Sequence, residues 1–183
     1  AGPAGRRELA GPDDGERTPP TLRDEAGGGG LKALSDLGAV REDEGRVWTF
    51  MAYLSADNNL ENELLEDLNE MEAGLPEKGL DAVVLIDRAK GHDASDGDWT
   101  DARVYRVRRD KDPKKLASEL LASPGELHMG SPATLETFVA AAMRTFPAKR
   151  YALLLGGHAS GWPRLVPDDD PGGASGPDAM DVV

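Results

Sequence analysis

A histidine follows an apolar, strand-like run near the end of the chain, in the segment YALLLGGHASGW from Tyr151 to Trp162. The chain has three histidines, and His158 is the one preceded by such a run. The glycines around it, at positions 156, 157 and 161, permit unusual dihedral angles and close approach to the backbone. An imidazole exchanges protons near neutral pH. From these residues His158 is either a proton-transfer group facing a substrate or a hydrogen-bonded structural residue.

The other polar candidates form less specific patterns. His92 lies in a loop of Gly, Asp and Ser, and His128 lies between two predicted helices, so we expect surface or capping roles for both. The three histidines lack the spacing of a zinc site, and no metal site is predicted from them. The segment GGHASG lacks the lysine of a P-loop. The acidic run Asp168–Asp170 offers oxygen ligands, but its spacing differs from that of a calcium-binding EF-hand.

Charge and composition exclude several classes of function. The net charge of −13 argues against nucleic acid as a partner, because phosphate binding needs a concentrated basic surface. The densest basic stretch, Arg103–Lys115, is interrupted by acids and is expected to be a solvated strand edge. No apolar run has the length of a membrane span, and no segment has the pattern of a signal peptide. The absence of cysteine excludes disulfides, thiolate metal ligands and a thiol nucleophile within these 183 residues.

The first 46 residues differ in composition from the rest of the chain. They are rich in Gly, Pro, Ala and charged residues and contain few large apolar side chains. Such a segment buries too little surface to offset its ordering entropy, so residues 1–46 are predicted to be a disordered leader or linker. Within it, LKALSDLGA is expected to form at most a short, marginal helix. Residues 47–183 are predicted to be one domain or the N-terminal part of a larger one, and the chain as a whole a fragment.

The elements that must position these residues alternate between strands and helices. Val47–Leu54 and Leu80–Asp87 are apolar runs typical of strands buried on both faces, and apolar residues at helical spacing lie between them. This order predicts two parallel strands joined by a helix. Ala102–Arg109 is predicted to be an edge strand or hairpin arm, and Pro113 is predicted to begin a helix over KKLASELLA. A further helix from Pro132 and a third buried strand, YALLLGG, complete the pattern.

This order of elements predicts a three-layer α/β/α sandwich with a mainly parallel sheet. In such sheets ligand and catalytic groups gather at the carboxyl ends of the strands. The polar and glycine residues that follow the three predicted parallel strands are Ser55, Asp57, Asn58, Asp87, Arg88, Gly156, Gly157 and His158. We therefore expect His158 to lie on the functional rim of the sheet.

Three segments, in this order, resemble the clostripain family of cysteine peptidases: WTFMAYLSADNNLE (Trp48–Glu61), ELHMGSPATLETF (Glu126–Phe138) and YALLLGGHASGW. The tail PDDDPGGASGPDAM (Pro167–Met180) is similar to the acidic connection after that family's histidine motif. The resemblance implies the caspase-like fold, incomplete in this chain. It also implies cleavage of peptide bonds after Arg or Lys by a Cys–His dyad.

Within this resemblance His158 matches the first residue of a His-Gly-x-Gly-Trp motif and would be the catalytic histidine. Ala159 matches the glycine whose backbone N–H helps to hold the oxyanion; alanine keeps the N–H but is strained at positive φ. The family's cysteine, in an Asp-x-Cys segment of the next strand, would lie beyond Val183. The resemblance thus implies that this chain alone is inactive and that the remainder of the same polypeptide supplies the thiol.

The resemblance further implies a peptide or protein substrate and export to the cell envelope or the medium. The residues require no cofactor, and the resemblance adds calcium as an accessory ion. The Ala-, Gly- and Arg-rich leader is typical of a GC-rich bacterial source. Two alternatives stay open: a non-catalytic caspase-fold module that binds peptides or partner proteins, favoured by Ala159, and a flavodoxin-like nucleotide binder using Gly156–Gly161.

Overall fold

The computed structural model describes residues 28–42 and 45–158. A 3-10 turn at Ser95–Gly97 joins the second and third strands. The helices in these ranges are α1 (Gly28–Leu34), α2 (Glu61–Gly74) and α3 (Pro132–Thr145). The strands are β1 (Trp48–Ala56), β2 (Leu80–Arg88), β3 (Ala102–Arg106), β4 (Glu119–Gly125) and β5 (Arg150–Gly156).

The five strands form one mixed sheet in the order β4-β3-β2-β1-β5. Strand β1 is parallel to β2 on one side and to β5 on the other, with Trp48 opposite both Leu80 and Arg150. Strands β3 and β4 extend the sheet in antiparallel pairing. The parallel β1-α2-β2 unit is as predicted, and the parallel pairing of β1 with both β2 and β5 brings the carboxyl ends of these three strands to one edge of the sheet.

Helices cover both faces of the sheet, which confirms the predicted three-layer sandwich. On one face α2 packs Leu64, Leu65 and Leu68 against β-strand residues such as Val84 and Ile86. On the other face the apolar residues of α1 and α3 pack together with the opposite side chains of β1, β2 and β3; among them are Leu34, Met51, Tyr53, Val83, Val104, Phe138 and Ala142. The Tyr53 hydroxyl donates to the Met129 carbonyl oxygen at 2.8 Å, which ties β1 to the segment before α3.

The prediction of a disordered leader up to residue 46 is wrong for the part that the structure describes. Leu34 and Leu37, in and after α1, are buried in the core. The Arg46 guanidinium donates to the Asp81 carboxylate and to the carbonyl oxygens of Arg41 and Pro147. Few apolar residues suffice here because they are spaced to lie on one side of a short helix and cover the sheet. Residues 1–27 lie outside the described residues, and their disorder stays a prediction.

The helix predicted over KKLASELLA is also wrong, since its second half is strand β4. The Glu72 carboxylate accepts the backbone N–H groups of Ala117 and Ser118 and the Ser118 hydroxyl, which holds the chain extended as it enters the strand. Glu119 then pairs with Arg41 at 2.7 Å. These long-range contacts outweigh local helix propensity, which is a weak preference.

One of the two alternatives predicted for β3 is confirmed, whereas β5 differs from its prediction. Strand β3 is a hairpin arm and not an edge strand, because β4 pairs with its outer side in antiparallel orientation. Strand β5, predicted to be buried, is the outer strand of the described sheet, and its Leu153 and Leu154 are 43% and 41% exposed. Within the described ranges no helix is long and apolar enough to span a membrane.

Candidate active site

The candidate site lies where the order of strands reverses. Strands β2, β3 and β4 follow one another on one side of β1, whereas β5 returns to its other side. In α/β sheets the crevice outside the carboxyl ends of the strands at such a reversal is the usual position of a ligand. The polar turn after β1 and the glycine pair after β5 both lie at this crevice, as the sequence predicted.

The turn between β1 and α2 is held by its own side chains. The Asn58 amide nitrogen donates to the Ser55 carbonyl oxygen at 3.0 Å, and its amide oxygen accepts the Leu60 N–H at 2.9 Å. The Ser55 hydroxyl donates to the Asp57 carboxylate at 3.0 Å. Asp57 and Asn58 are buried, so these polar groups serve the turn rather than a ligand. The N-cap residue of α2, Leu60, makes no side-chain capping hydrogen bond, so Asn58 closes the turn that leads into the helix and does not cap it.

Glycine is required at position 157 for two reasons. Its φ of +143° is a conformation that residues with a side chain rarely adopt. A Cβ there would also lie 3.0 Å from the carbonyl oxygen of Ser55 and 3.2 Å from the Ser55 Cβ. The end of β5 is thus pressed directly onto the end of β1, and the residue that follows Gly157 has a defined position above that contact.

That following residue is His158, and its imidazole contacts the turn after β1. The Nε2 atom lies 2.7 Å from the amide oxygen of Asn59. An amide oxygen only accepts hydrogen bonds, so this contact is a hydrogen bond in the ring form that carries its hydrogen on Nε2. In that ring form the lone pair lies on Nδ1. The contact with Asn59 therefore orients the ring at the carboxyl edge of the sheet.

The end of β2 forms the supporting wall of the site. The fully buried Arg88 guanidinium donates through Nε to the fully buried Glu61 carboxylate at 2.8 Å. It also donates to the carbonyl oxygens of Asp93 and Ser95, and it lies 4.5 Å from the centre of the Trp99 ring. Arg88 and the equally buried Asp87 were predicted on the functional rim. In the structure Arg88 supports the site from inside the fold, because no part of it is exposed to a substrate.

The loop after β2 is organised around the same arginine. A hydrogen bond from the Ser95 hydroxyl, with a smaller contribution from the Arg88 charge, lowers the pKa of Asp93. The Trp99 ring lies between Arg88 and Arg103, whose guanidinium carbon is 4.6 Å from the ring centre. Such cation–π contacts favour a fixed ring position. The loop is therefore anchored close to the end of β2.

The remaining histidines match their predicted roles in part. His92 is exposed, and the carbonyl oxygen of His128 accepts the Ser131 N–H and the Thr134 hydroxyl at the start of α3. In the ranges that the structure describes, no cluster of three or more His, Asp or Glu side chains could hold a metal ion. Ala159, Gly161, Asp168–Asp170 and the tail Pro167–Met180 lie outside the described residues, so their predicted roles stay predictions.

Two residues of the site were missed from sequence alone. Asn59 lies in the family-matched segment Trp48–Glu61, but nothing in the pattern distinguished it from Asn58. Glu61 was included only as the last residue of a motif, although it begins α2 and pairs with Arg88. A signal for Glu61 existed, since a carboxylate in the first turn of a helix is favoured by the helix dipole.

A caspase-like α/β sandwich with a histidine at the carboxyl edge of its sheet is the class that this fold and site define. Solved structures of cysteine proteases have a similar fold. A secreted C11 cysteine protease from Bacteroides thetaiotaomicron, solved with an irreversible peptide inhibitor, matches with a TM-score of 0.55 and 19% identity over 74% of this chain and 36% of its own. A B. fragilis cysteine protease matches with a TM-score of 0.51 and 21% identity over 63% of this chain and 92% of its own.

The chain belongs to the clostripain family, whose sequence profile matches residues 52–169. The Clostripain of Hathewaya histolytica is 32% identical over 123 residues, which are 62% of this chain. The chain spans only 23% of the length of that curated relative. The resemblance to this cysteine protease family and the caspase-like fold expected from it are both confirmed.

Proposed function

We propose that this chain is the histidine-bearing part of a clostripain-like cysteine endopeptidase that cleaves peptide bonds after Arg or Lys. The cysteine of its Cys–His dyad is supplied by polypeptide beyond this chain. One observation carries the proposal: His158, after the end of β5 in a family-matched segment, has its Nε2 atom 2.7 Å from the amide oxygen of Asn59. A histidine that a neighbouring side chain holds in place at the end of a strand is an arrangement that can activate a thiol.

The reaction needs two proton transfers through the imidazole. Nδ1 accepts the proton of the cysteine thiol as sulfur bonds to the scissile carbonyl carbon. The imidazolium then gives that proton to the departing amine as the C–N bond breaks, which leaves a thioester. Water, deprotonated by the same nitrogen, attacks the thioester, and the carboxylate product and the thiol are released. Positioned acid–base help of this kind typically contributes ~10²–10⁴ in rate.

The oxyanion formed at the carbonyl needs donors close to the histidine. The backbone N–H of Ala159 is the donor that we assign, because it follows His158 directly and alanine retains this N–H. Preorganised N–H groups of this type stabilise developing negative charge. Substitution of Ala159 by glycine, the residue of the family motif, is expected to raise activity if residue 159 needs positive φ.

The substrate preference rests on charge. Arg and Lys side chains in a substrate are cationic, and the chain has a net charge of −13. A strongly acidic protein accelerates the encounter with basic peptides through its long-range field. We also propose export of the parent protein, which is supported by a relative described as a secreted protease.

The test is a comparison of substrates by the parent polypeptide, which contains this chain and the downstream cysteine. Fluorogenic peptides identical except for Arg, Lys or Glu before the scissile bond would be assayed at low and high salt. We expect cleavage of the Arg and Lys peptides, weak or no cleavage of the Glu peptide, and a rate that falls as salt screens the attraction. Equal cleavage of all three would refute the proposed specificity.

A second candidate function is peptide binding without cleavage, and the residue that favours it is Ala159 in place of the motif glycine. In this case the parent protein binds Arg-containing peptides but releases them intact. Calorimetric titration with an uncleaved peptide, followed by mass spectrometry of the peptide, separates the two candidates. Recovery of shortened peptide excludes the binding-only function.

A further inference from the structure

We propose that Asn59 is a positioning residue, which holds the imidazole of His158 in the tautomer with the hydrogen on Nε2 and the lone pair on Nδ1. Its catalytic consequence rests on the proposed peptidase function, whereas the tautomer itself does not. The observation is the 2.7 Å contact between the Asn59 amide oxygen and Nε2 of His158. The other ring nitrogen is left for the reacting proton.

The direction of this hydrogen bond decides the tautomer. If the amide oxygen faces Nε2, only the ring form with hydrogen on Nε2 completes the bond, because the oxygen has no hydrogen to give. Without Asn59, a neutral histidine in water exchanges between two tautomers, and only the form with a free Nδ1 lone pair has the base on the correct nitrogen. An asparagine that orients a histidine is also the third member of the Cys-His-Asn arrangement found on unrelated folds.

Asn59 is exposed and His158 is half-buried, but the backbone next to each of them is fixed. The residues on both sides of Asn59 are tied down: the Asn58 side chain bonds to the Ser55 carbonyl and to the Leu60 N–H. Glu61, two residues further, is locked to Arg88 at 2.8 Å. On the other side, Gly157 packs closely on Ser55, and a Cβ there would lie 3.0 Å from the Ser55 carbonyl oxygen. The hydrogen bond between Asn59 and His158 therefore joins two rigid supports, so its loss is not compensated by motion of the backbone.

A carboxylate at position 59 offers the same acceptor geometry, whereas an apolar side chain does not. Asn59→Asp is therefore the conservative variant, and Asn59→Leu, which has a similar volume, removes the acceptor. Asn62 gives a matched control, because it is a second exposed asparagine near the start of α2, and its hydrogen bond, donated to Glu66 at 3.2 Å, does not involve a histidine. Asn62→Leu is expected to leave both the His158 tautomer and the rate of peptide cleavage unchanged.

The experiment uses the parent polypeptide and two readouts. The first is the pair of imidazole ¹⁵N chemical shifts of His158, assigned with a His158→Gln variant, which reports the tautomer. The second is steady-state cleavage of an Arg peptide. We expect Asn59→Leu to mix the tautomers and to lower kcat about 10- to 100-fold with KM within about 3-fold, since a small misplacement of a reacting group has effects of this size. Asn59→Asp should keep kcat within about 5-fold of the wild type.

Each other outcome has a definite meaning. Unchanged shifts in Asn59→Leu overturn the proposal, whatever happens to kcat, because Asn59 then does not set the tautomer. Mixed tautomers with an unchanged kcat overturn its catalytic part. A wild-type protein that cleaves no peptide, but whose His158 tautomer depends on Asn59, refutes the proposed peptidase function and leaves the positioning of the ring established.

Discussion

The buried ion pair between Glu61 and Arg88 gives the most quantitative prediction for the stability of the site. Both side chains are fully buried, and their closest atoms lie 2.8 Å apart. Glu61 also accepts the Ala89 N–H at 3.3 Å through its second carboxylate oxygen. Replacement of Glu61 by Gln keeps the volume but removes the charge, and it turns one acceptor toward Ala89 into a donor.

The expected cost follows from what remains around Arg88. Breaking a buried pair by removing one partner typically costs about 3–5 kcal/mol, because the other charge stays buried. Arg88 retains the carbonyl oxygens of Asp93 and Ser95 and the face of Trp99, so the lower end of that range applies. We expect Glu61→Gln to lower the free energy of unfolding by about 3 kcal/mol, which is a fall in Tm of about 10 °C for a domain of this size.

Urea denaturation followed by circular dichroism measures this change. The control is Glu77→Gln, since Glu77 pairs with Arg109 at 2.9 Å but has a side chain 79% exposed, and its loss should cost less than about 1 kcal/mol. The double variant Glu61→Gln with Arg88→Met should cost at least about 1 kcal/mol less than the sum of the single variants. A Glu61→Gln protein within about 1 kcal/mol of the wild type would refute the reasoning.

Three further predictions concern Gly157, Glu119 and His92. Gly157→Ala should lower the free energy of unfolding by about 1–3 kcal/mol, through positive φ and the contact with Ser55, and it should lower activity; Gly74→Ala, with open space around it, should be neutral or stabilising in the same denaturation assay. Hydrogen bonding to Arg41, with help from Arg108, lowers the pKa of Glu119 from 4.5 to about 2. A lowered carboxyl pKa stabilises the fold above the unfolded value, so this stability is lost as the pH falls from about 5 to about 2. In Glu119→Gln the loss of unfolding free energy over this pH range should be smaller by about 1 kcal/mol, after allowance for solvent screening. An unchanged pH dependence would contradict the assignment. At the rim, His92→Ala should leave peptide cleavage unchanged, because His92 is exposed in a loop; a large loss would show that the assignment of the base is wrong.

The elements that could be predicted from sequence are those whose own residues carry the apolar pattern of a buried strand or helix. Strands β1 and β2 are continuous apolar runs, and α3 begins at a Ser-Pro signal and carries a full apolar stripe, so each was predictable from its own residues. Their parallel pairing followed from the order of elements. The position of His158 at the carboxyl edge followed in turn, because that edge is shared by all parallel strands of a sheet.

The parts that were missed depend on contacts between distant residues. Strand β4 is held by Glu72, more than forty residues earlier, and nothing in KKLASELLA itself indicates that contact. Leu34 and Leu37 join the core from a segment whose average composition is that of a disordered leader. The contact of Asn59 with His158 spans 99 residues. Composition averages over a segment, whereas a core or a catalytic pair needs only a few residues in the correct places.

The most direct test of the central claim is cleavage of an Arg-containing peptide by the parent polypeptide, with and without His158→Ala. Both proteins would be checked for equal folding by circular dichroism before the assay. We predict clear turnover by the wild type and a loss of at least about 10²-fold in kcat/KM in the variant, because the imidazole serves both proton transfers. Turnover that is unchanged in His158→Ala would contradict the account, since the histidine at the end of β5 would then not be the base.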